Sequence, residues 1–260
     1  MKILVTLKAV AENIPESDPE FLKKIFFGKN KNLKINKFDD HALEEAVKIK
    51  NTDKNTIIHT ITIGNKNCDE ILKKAIGKGA DKGFLIVADT NKSNDPEFVS
   101  KALSLHFKKD NYDFLFSGMM SEDMMSGISV HMTAGRLDIP SFSGVTEIHS
   151  INKNEIIFSR ETEGGSVDKI SAKLPAALGF QAGINKPSYP NVLKMIKTDE
   201  DSIIITDYKK IFEKKESIKV SSVNSPPQSR KAEFIRGDIS EKADNFIKIL
   251  QEKKVLQEKK

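Results

Sequence analysis

The residues best suited to chemistry lie in one segment, residues 117–140, SGMMSEDMMSGISVHMTAGRLDIP. A strand-like run, residues 113–117, leads into it, and an amphipathic helix ends it at Pro140. In parallel α/β sheets, the loop between the carboxyl end of a strand and the amino end of the next helix is the usual place for a ligand. We therefore treat this loop as a candidate nucleotide site.

Gly118 and Gly127 bound the loop, and Asp123 and Ser126 are the polar side chains available within it. The N–H groups of Ser126 and Gly127 are predicted to begin the helix, where free amides and the helix dipole favour a phosphate. The loop is also rich in methionine, which serves either as core filler or as an adaptable contact surface. The methionines are Met119, Met120, Met124, Met125 and Met132.

The rest of the chain offers few catalytic patterns. The sequence has no nucleophile elbow, HExxH motif or Walker motif. Cys68 is the single cysteine, which excludes a disulfide within the chain; we expect a small buried residue, with a reactive thiol as the alternative. The histidines lack metal-ligand spacing and are predicted to be packed or surface residues: His41, His59, His106, His131 and His149.

Composition indicates a globular protein with a heavily charged surface, since 38% of the residues are hydrophobic and 30% are charged. The net charge of +5 arises from 42 basic and 37 acidic residues that are mixed along the chain, so nucleic-acid binding is not expected. No apolar run approaches the length of about 18 residues that spans a membrane. The first residues, MKILVTLKAV, predict a strand and not a signal peptide.

Hydrophobic periodicity predicts alternating strands and helices in the first half of the chain. The predicted strands are residues 2–7, 56–63, 84–87 and 112–117, and a short extended piece is expected at 33–36. Three helices are predicted in this half. The first begins at Asp39 and Asp40, the second covers residues 68–77, and the third covers residues 95–108 with Asp95 as its N-cap. This alternation predicts an α/β fold with a parallel sheet and right-handed crossovers.

The pattern changes after Pro140. Three strands separated by short turns, residues 144–149, 156–160 and 166–172, predict an antiparallel meander that extends the sheet. One more apolar strand is predicted at 175–180, and a last short helix at 245–251. We expect residues 1–189 to form the α/β domain and residues 190–260 to form an extended arm, with little core of its own, that packs on a partner.

Several motifs in the same order resemble the β subunit of electron transfer flavoprotein. The similarity runs from Met1 to about Lys197, and more weakly through residues 222–228. The most specific match is Arg160-Glu-Thr-Glu-Gly-Gly165, followed by Asp168 and by Leu174-Pro175. The other motifs are ILVTLK in the first strand, NKFDDHALEEA at 36–46, Gly79-Ala-Asp-Lys82, and INKPSY at 184–189.

The resemblance implies a Rossmann-like, adenine-nucleotide α-hydrolase-like sheet and a heterodimer with an α subunit. FAD would be held mainly by the α subunit at the interface, and the β subunit would hold AMP or a second FAD. The protein would carry electrons from flavin dehydrogenases to a membrane quinone oxidoreductase, with no acid–base catalytic side chain. Carried over by position, the nucleotide site would comprise Thr6, Asn36, Phe38, Asp39, Ile63, Gly118, Asp123, Ser126, Gly127 and Ile128, and Phe38 would also approach the FAD.

Two departures from the family pattern stand out. The family loop usually reads Asp-Gly-Asp-Thr-x-Gln, whereas this chain has Asp-Met-Met-Ser-Gly-Ile at 123–128. The exposed leucine that docks partners in the family falls at Ala182, so the resemblance suggests a different set of dehydrogenases or another anchor. The expected docking residues are Phe180, Ala182, Ile184, Asn185, Pro187 and Tyr189.

Two alternatives share parts of this pattern. A nucleotide-binding regulatory α/β module would share the sheet and its loop, but not the Gly164-Gly165 meander. A scaffold subunit that has lost its nucleotide would keep the meander and the partner. The resemblance implies a cytoplasmic location in a bacterium, or the mitochondrial matrix in a eukaryote.

Overall fold

The computed structural model of the 260-residue chain describes residues 1–12, 32–211 and 234–256. The chain divides into two compact units, one within Met1–Val223 and one within Asn224–Lys260. The weak family match at 222–228 lies outside the described residues.

A nine-stranded sheet forms the centre of the first unit, counted over the described residues. Its order is β11-β5-β4-β1-β6-β10-β7-β8-β9, and the strands from β11 to β7 are parallel. The strands are β1 (Lys2–Thr6), β4 (Ile57–Gly64), β5 (Lys82–Val87), β6 (Phe114–Gly118), β7 (Ser141–Ile151), β8 (Glu155–Glu161), β9 (Val167–Lys173), β10 (Ala176–Phe180) and β11 (Ile203–Asp207). The predicted parallel sheet is confirmed.

The predicted antiparallel meander is also confirmed, since β8 pairs antiparallel with both β7 and β9. A separate two-stranded ribbon pairs β2 (Ala9–Ala11) with β3 (Leu33–Ile35), where a short extended piece was expected. The helices of the described chain are α1 (Lys37–Thr52), α2 (Asp69–Lys78), α3 (Thr90–Ser93), α4 (Pro96–Asp110), α5 (Ser129–Leu137), α6 (Val192–Ile196) and α7 (Ile239–Glu252). Asp95 caps α4 as predicted, because its side chain accepts a hydrogen bond from Glu97 N at 2.9 Å.

The central strands β1, β4, β6 and β10 are mostly buried on both faces, which explains their high content of apolar residues. Side chains alternate along a strand, so Phe114 and Phe116 face α1 and α2 while Leu115 faces α4 and α5. Leu43 and Leu72 pack in the core on the face covered by α1 and α2, and Leu103 packs in the core on the face covered by α4 and α5.

Two features of the last third of the chain go beyond the sequence analysis. Strand β11 was not predicted; it lies within residues 190–260, the stretch expected to form an extended arm, and it pairs parallel with β5 at the edge of the main sheet. Its β-branched run is short and directly follows the acidic residues 199–201, and its partner strand is distant in sequence, so local pattern alone did not show it. The last helix is longer than predicted, because Asp238 and Glu241 form a capping box that starts α7 at Ile239.

A cluster of ring side chains closes the amino end of the sheet. The Tyr112 hydroxyl lies 2.8 Å from His59 Nδ1 and 3.1 Å from His106 Nε2, and it donates to Asp110 Oδ2 at 3.2 Å. Burial is the main cause that lowers the pKa of both histidines to about 4, and the Lys2 charge acts in the same direction. Both imidazoles are therefore neutral at neutral pH.

This cluster predicts a loss of stability in mild acid. The folded pKa values of about 4 lie below the ordinary histidine value of 6.5. The unfolded chain therefore binds more protons between these limits, and the free energy of unfolding falls as pH decreases. Asp39 opposes this trend, because its folded pKa of about 6 is raised. His59→Gln should therefore reduce the difference in unfolding free energy between pH 7 and pH 5 measured in urea. The exposed His149→Gln is the control, and an unchanged pH dependence in His59→Gln would contradict the assignment.

Candidate functional site

A cavity of about 300 Å³ opens at the carboxyl edge of the parallel strands, where the sequence predicts a ligand site. Its floor is formed by the ends of β1, β4 and β6, and its sides by the amino-terminal parts of α4 and α5. Most of its surface is apolar, with Ile61, Val99, Leu103 and Val130 among the wall residues. Such an apolar cleft with a few convergent polar groups is the usual form of a small-molecule site.

Asp39 joins the two strand ends below this cavity. Its carboxylate accepts hydrogen bonds from Lys8 N at 2.7 Å and from Gly118 N at 2.8 Å, and only 5% of the residue is exposed. Burial raises the pKa of this carboxyl to about 6, while the two N–H donors act in the opposite sense. Asp39 is therefore ionised at neutral pH, and its charge holds the chain segments that follow β1 and β6 together.

Asn36 fixes the start of the loop after β6. Its Nδ2 donates to Met120 O at 2.8 Å, and its Oδ1 accepts from Glu122 N at 3.1 Å. The residue is also tied to the chain after β1, because Asn36 N donates to Lys8 O at 2.9 Å. The polar groups of Asn36 and Asp39 thus hold the cavity wall together, although the sequence suggested them as direct cofactor contacts.

The second half of the loop presents backbone donors to the cavity. Among the described residues, the N–H groups of Ser126, Gly127 and Ile128 have no protein acceptor. Gly127 has a positive φ of 62°, and a Cβ there would lie 2.7 Å from Met119 O, so the turn requires glycine. Helix α5 begins at Ser129, slightly later than the predicted start at Ser126. These amides precede the positive end of α5 and suit an anionic group.

Lys8 and Asp123 form an ion pair of 2.8 Å beside the cavity. Lys8 lines both the main cavity and a smaller neighbouring cavity of about 70 Å³, whereas Asp123 lines only the smaller one. The sequence suggested Asp123 as a cofactor contact but gave no reason to single out Lys8. Its position after β1 is the signal that could have identified it.

The structure brings most of the predicted cofactor residues together. The ones that line the main cavity are Thr6, Asn36, Asp39, Ile63, Gly118, Ser126, Gly127 and Ile128. Phe38 and Asp123 lie outside its lining. Sequence reasoning missed Ser93 and Asn94 at the end of α3, and it missed Ser117, whose buried Oγ has no hydrogen-bond partner in the described chain. An unpaired buried hydroxyl that lines a cavity, together with free amides, fits a ligand with both a polar edge and an anionic group.

The segment predicted to dock partners is attached to α1. Asn185 Nδ2 donates to His41 O at 2.9 Å and to Glu45 Oε1 at 2.8 Å. Ser188 donates from both its N–H and its hydroxyl to Glu44 Oε2, each at 2.8 Å. The Glu-Glu pair and the asparagine that resemble separate family motifs are therefore one structural unit.

The exposed apolar residues of this region are not those that the sequence suggested. Phe180 is fully buried against Phe116 in the core, which corrects its expected role as an exposed anchor. Ala182 and Ile184 are half-buried, and Ile184 packs against the core. Tyr189 is 95% exposed and stands just before α6, whose exposed apolar residues are Val192, Leu193 and Ile196.

The cysteine, the loop methionines and possible metal ligands were the other candidates for chemistry, and the described residues indicate packing or surface roles for them. Cys68 is buried, and burial raises the pKa of its thiol to about 11, so the prediction of a small packed residue is confirmed. Met124 and Met125 are exposed, which favours a contact surface over core filler for this part of the loop. The described residues contain no group of three or more His, Cys, Asp or Glu that could hold a metal ion. None of their helices has the length and apolar character needed to cross a membrane.

Together, the parallel sheet and the cavity at its carboxyl edge define an α/β protein of the doubly wound, Rossmann-like class. The family described as the electron transfer flavoprotein domain matches residues 25–207. The electron transfer flavoprotein subunit beta of Methylophilus methylotrophus is 30% identical over 97% of this chain and 98% of that protein. The subunits beta of Bacillus subtilis and Mus musculus are 28% and 29% identical, over 83% and 75% of this chain and 85% and 76% of those proteins.

The chain therefore belongs to the electron transfer flavoprotein family, as a member of its β-subunit group.

Replacing Gly118 or Gly135 by alanine is predicted to change the stability of the protein in opposite directions. A Cβ on Gly118 would collide with Phe38 Cβ, and it would lie 2.7 Å from the Phe38 carbonyl carbon and 2.8 Å from Asp39 N, so Gly118→Ala must displace the start of α1. We expect destabilisation of about 2–3 kcal/mol or more. Gly135→Ala in α5 meets nothing within 4 Å and should stabilise by about 0.5–1 kcal/mol. Urea unfolding of both variants measures the difference, and equal effects would contradict the close approach of α1 to β6.

Proposed function

We propose that the chain is the β subunit of a heterodimeric electron transfer flavoprotein and that its cavity binds an adenine mononucleotide. The observation that carries the nucleotide proposal is the combination, in one cavity, of apolar walls with the free amides of Ser126, Gly127 and Ile128. Apolar walls suit the faces of a base, and amides before a helix suit a phosphate. The family membership supports the electron-carrier role.

The size of the cavity favours a mononucleotide such as AMP over a second FAD. Its volume of about 300 Å³ lies at the lower end of the range for small-molecule sites, roughly 300–1,000 Å³. The free amides lie on one side only, which suits a single phosphate group. The ionised Asp39 stands at the strand ends and disfavours a second phosphate near Gly118.

FAD, held mainly by the α subunit at the interface, would supply the redox chemistry when it is bound. In this proposal the present chain contributes no acid–base step. Its residues hold the nucleotide, shape the surface that faces the flavin, with Phe38 as the candidate contact, and receive flavin dehydrogenases and a quinone oxidoreductase as partners. The proposed location is the cytoplasm of a bacterium or, in a eukaryote, the mitochondrial matrix.

We also propose that dehydrogenases dock on the segment that runs from Ala182 through α6. The resemblance placed the docking anchor at Ala182, and the exposed apolar residues of this region follow it at Tyr189, Val192, Leu193 and Ile196. Clustered exposed apolar side chains mark interaction surfaces, and tyrosine is among the residue types enriched at the centres of interfaces. The hydrogen bonds of Asn185 and Ser188 to α1 hold the segment in place before a partner arrives.

The nucleotide proposal is tested by the content of the purified protein. The chain is expressed with and without its α subunit, and the nucleotides released on denaturation are identified. We expect AMP in both preparations and FAD only after co-expression. Gly127→Ala should lower the AMP content, because its Cβ would meet Met119 O at 2.7 Å and its φ of 62° would be strained, whereas Gly135→Ala should leave the content unchanged. A heterodimer that releases FAD but no AMP would favour the scaffold alternative, and a stable monomer that binds ATP would favour the regulatory one.

The docking proposal predicts a localised effect of charge. Leu193→Asp places a carboxylate on the exposed face of α6 and should raise the KM of a partner dehydrogenase for the heterodimer by about tenfold, with unchanged FAD content. Leu105→Asp places the same charge on an exposed site of α4 and should leave this KM unchanged. Equal KM values for both variants with every dehydrogenase tested would exclude α6 as a docking element.

A further inference from the structure

Ser117 is a buried polar residue that nothing in the fold explains. It is the fourth residue of β6, only 2% of it is exposed, and it lines the main cavity. Its Oγ has no hydrogen-bond partner among the described residues. A buried hydroxyl without a partner costs free energy, and a bound ligand is one of the few ways to recover it.

The surroundings of Ser117 limit what that ligand group can be. Side chains alternate along β6, so Ser117 lies on the same face as Leu115, the face covered by α4 and α5. The cavity wall on this side includes Ile61, Val99 and Leu103. A group that reaches Ser117 must therefore be largely apolar and carry a hydrogen-bonding edge, which describes a nucleobase.

Charge argues against a phosphate directly beside Ser117. The residue after Ser117 is Gly118, whose N–H donates to the Asp39 carboxylate at 2.8 Å. An anion placed beside this amide would meet a like charge and would find the donor occupied. The free amides of Ser126 and Gly127 lie instead on the loop before α5. The surroundings of Ser117 and this loop thus differ in the chemistry they accept.

We propose that the Ser117 hydroxyl forms a hydrogen bond with the base of the bound nucleotide, with the phosphate at the loop before α5. This inference rests on the proposed nucleotide site and assigns its orientation. Ser117 is then a determinant of base recognition, whereas Asn36 and Asp39 act only as positioning residues.

Thr62 provides a matched control. Its Oγ1 is also buried without a partner in the described chain, and only 1% of the residue is exposed. It belongs to β4, where its neighbours Ile61 and Ile63 line the cavity and Thr62 does not. Thr62→Val therefore removes an unpaired hydroxyl of the same kind on the opposite face of the sheet.

The experiment compares Ser117→Ala, Ser117→Thr and Thr62→Val in the nucleotide-stripped full chain. Without ligand, Ser117→Ala and Thr62→Val should melt at or above the temperature of the original protein, since each loses an unsatisfied polar atom. With AMP in isothermal titration calorimetry, Ser117→Ala should bind about 3- to 10-fold more weakly, the effect of one hydrogen bond. Ser117→Thr keeps the hydroxyl and should retain more of the affinity, and Thr62→Val should match the original protein.

Two further probes separate base from phosphate. The loss in Ser117→Ala should persist with adenosine, which has the base and no phosphate, and should vanish with ribose 5-phosphate, which has the phosphate and no base. A loss that persists with ribose 5-phosphate, or AMP binding equal to that of the original protein, overturns the base contact while the nucleotide site stands. Failure of the original protein to bind AMP at all overturns both proposals.

Discussion

The carboxylate of Asp39 is the interaction on which the carboxyl edge of this protein depends. Parallel strands end with backbone N–H groups that have no partner in the sheet, and here a single ionised side chain from α1 satisfies one such group after β1 and another at the end of β6. The arrangement requires α1 to approach β6 so closely that only glycine fits at position 118. The bonds of Asn36 to the following loop then complete the wall of the cavity.

Most strands and helices of the first 180 residues could be predicted from the sequence because their determinants are local, whereas the short elements β2 and α3 were not predicted. Apolar β-branched runs, an Asp-Pro helix start and short turns all act within a few residues. Strand β11 was missed because an edge strand buries only part of its surface, and its pairing with β5 joins residues more than a hundred positions apart. The length of α7 depended on one capping box that the periodicity did not show.

The location of the candidate site could be predicted from the sequence, but the contacts that its residues make could be predicted only in part. The resemblance suggested Asn36 and Asp39 as site residues, and both line the cavity, but their hydrogen bonds to protein atoms could be seen only in three dimensions. Ser117 looks like an ordinary strand residue in the sequence, and it becomes notable only when its hydroxyl is found buried and unpaired. Lys8 lies beside the cavity because it follows the end of β1 and forms an ion pair with Asp123, which is 115 residues away in the sequence. Phe180 was misassigned because an apolar residue at a strand end gives no sign of its burial.

Helix α1 makes contacts at two functional regions on successive turns. Its first turn binds the strand ends through Asp39, and the next turns bind the segment after β10 through His41, Glu44 and Glu45. The same sixteen-residue helix thus contacts both the candidate nucleotide cavity and the segment proposed to dock partners. A substitution that displaced this helix would therefore disturb both regions through a single secondary-structure element.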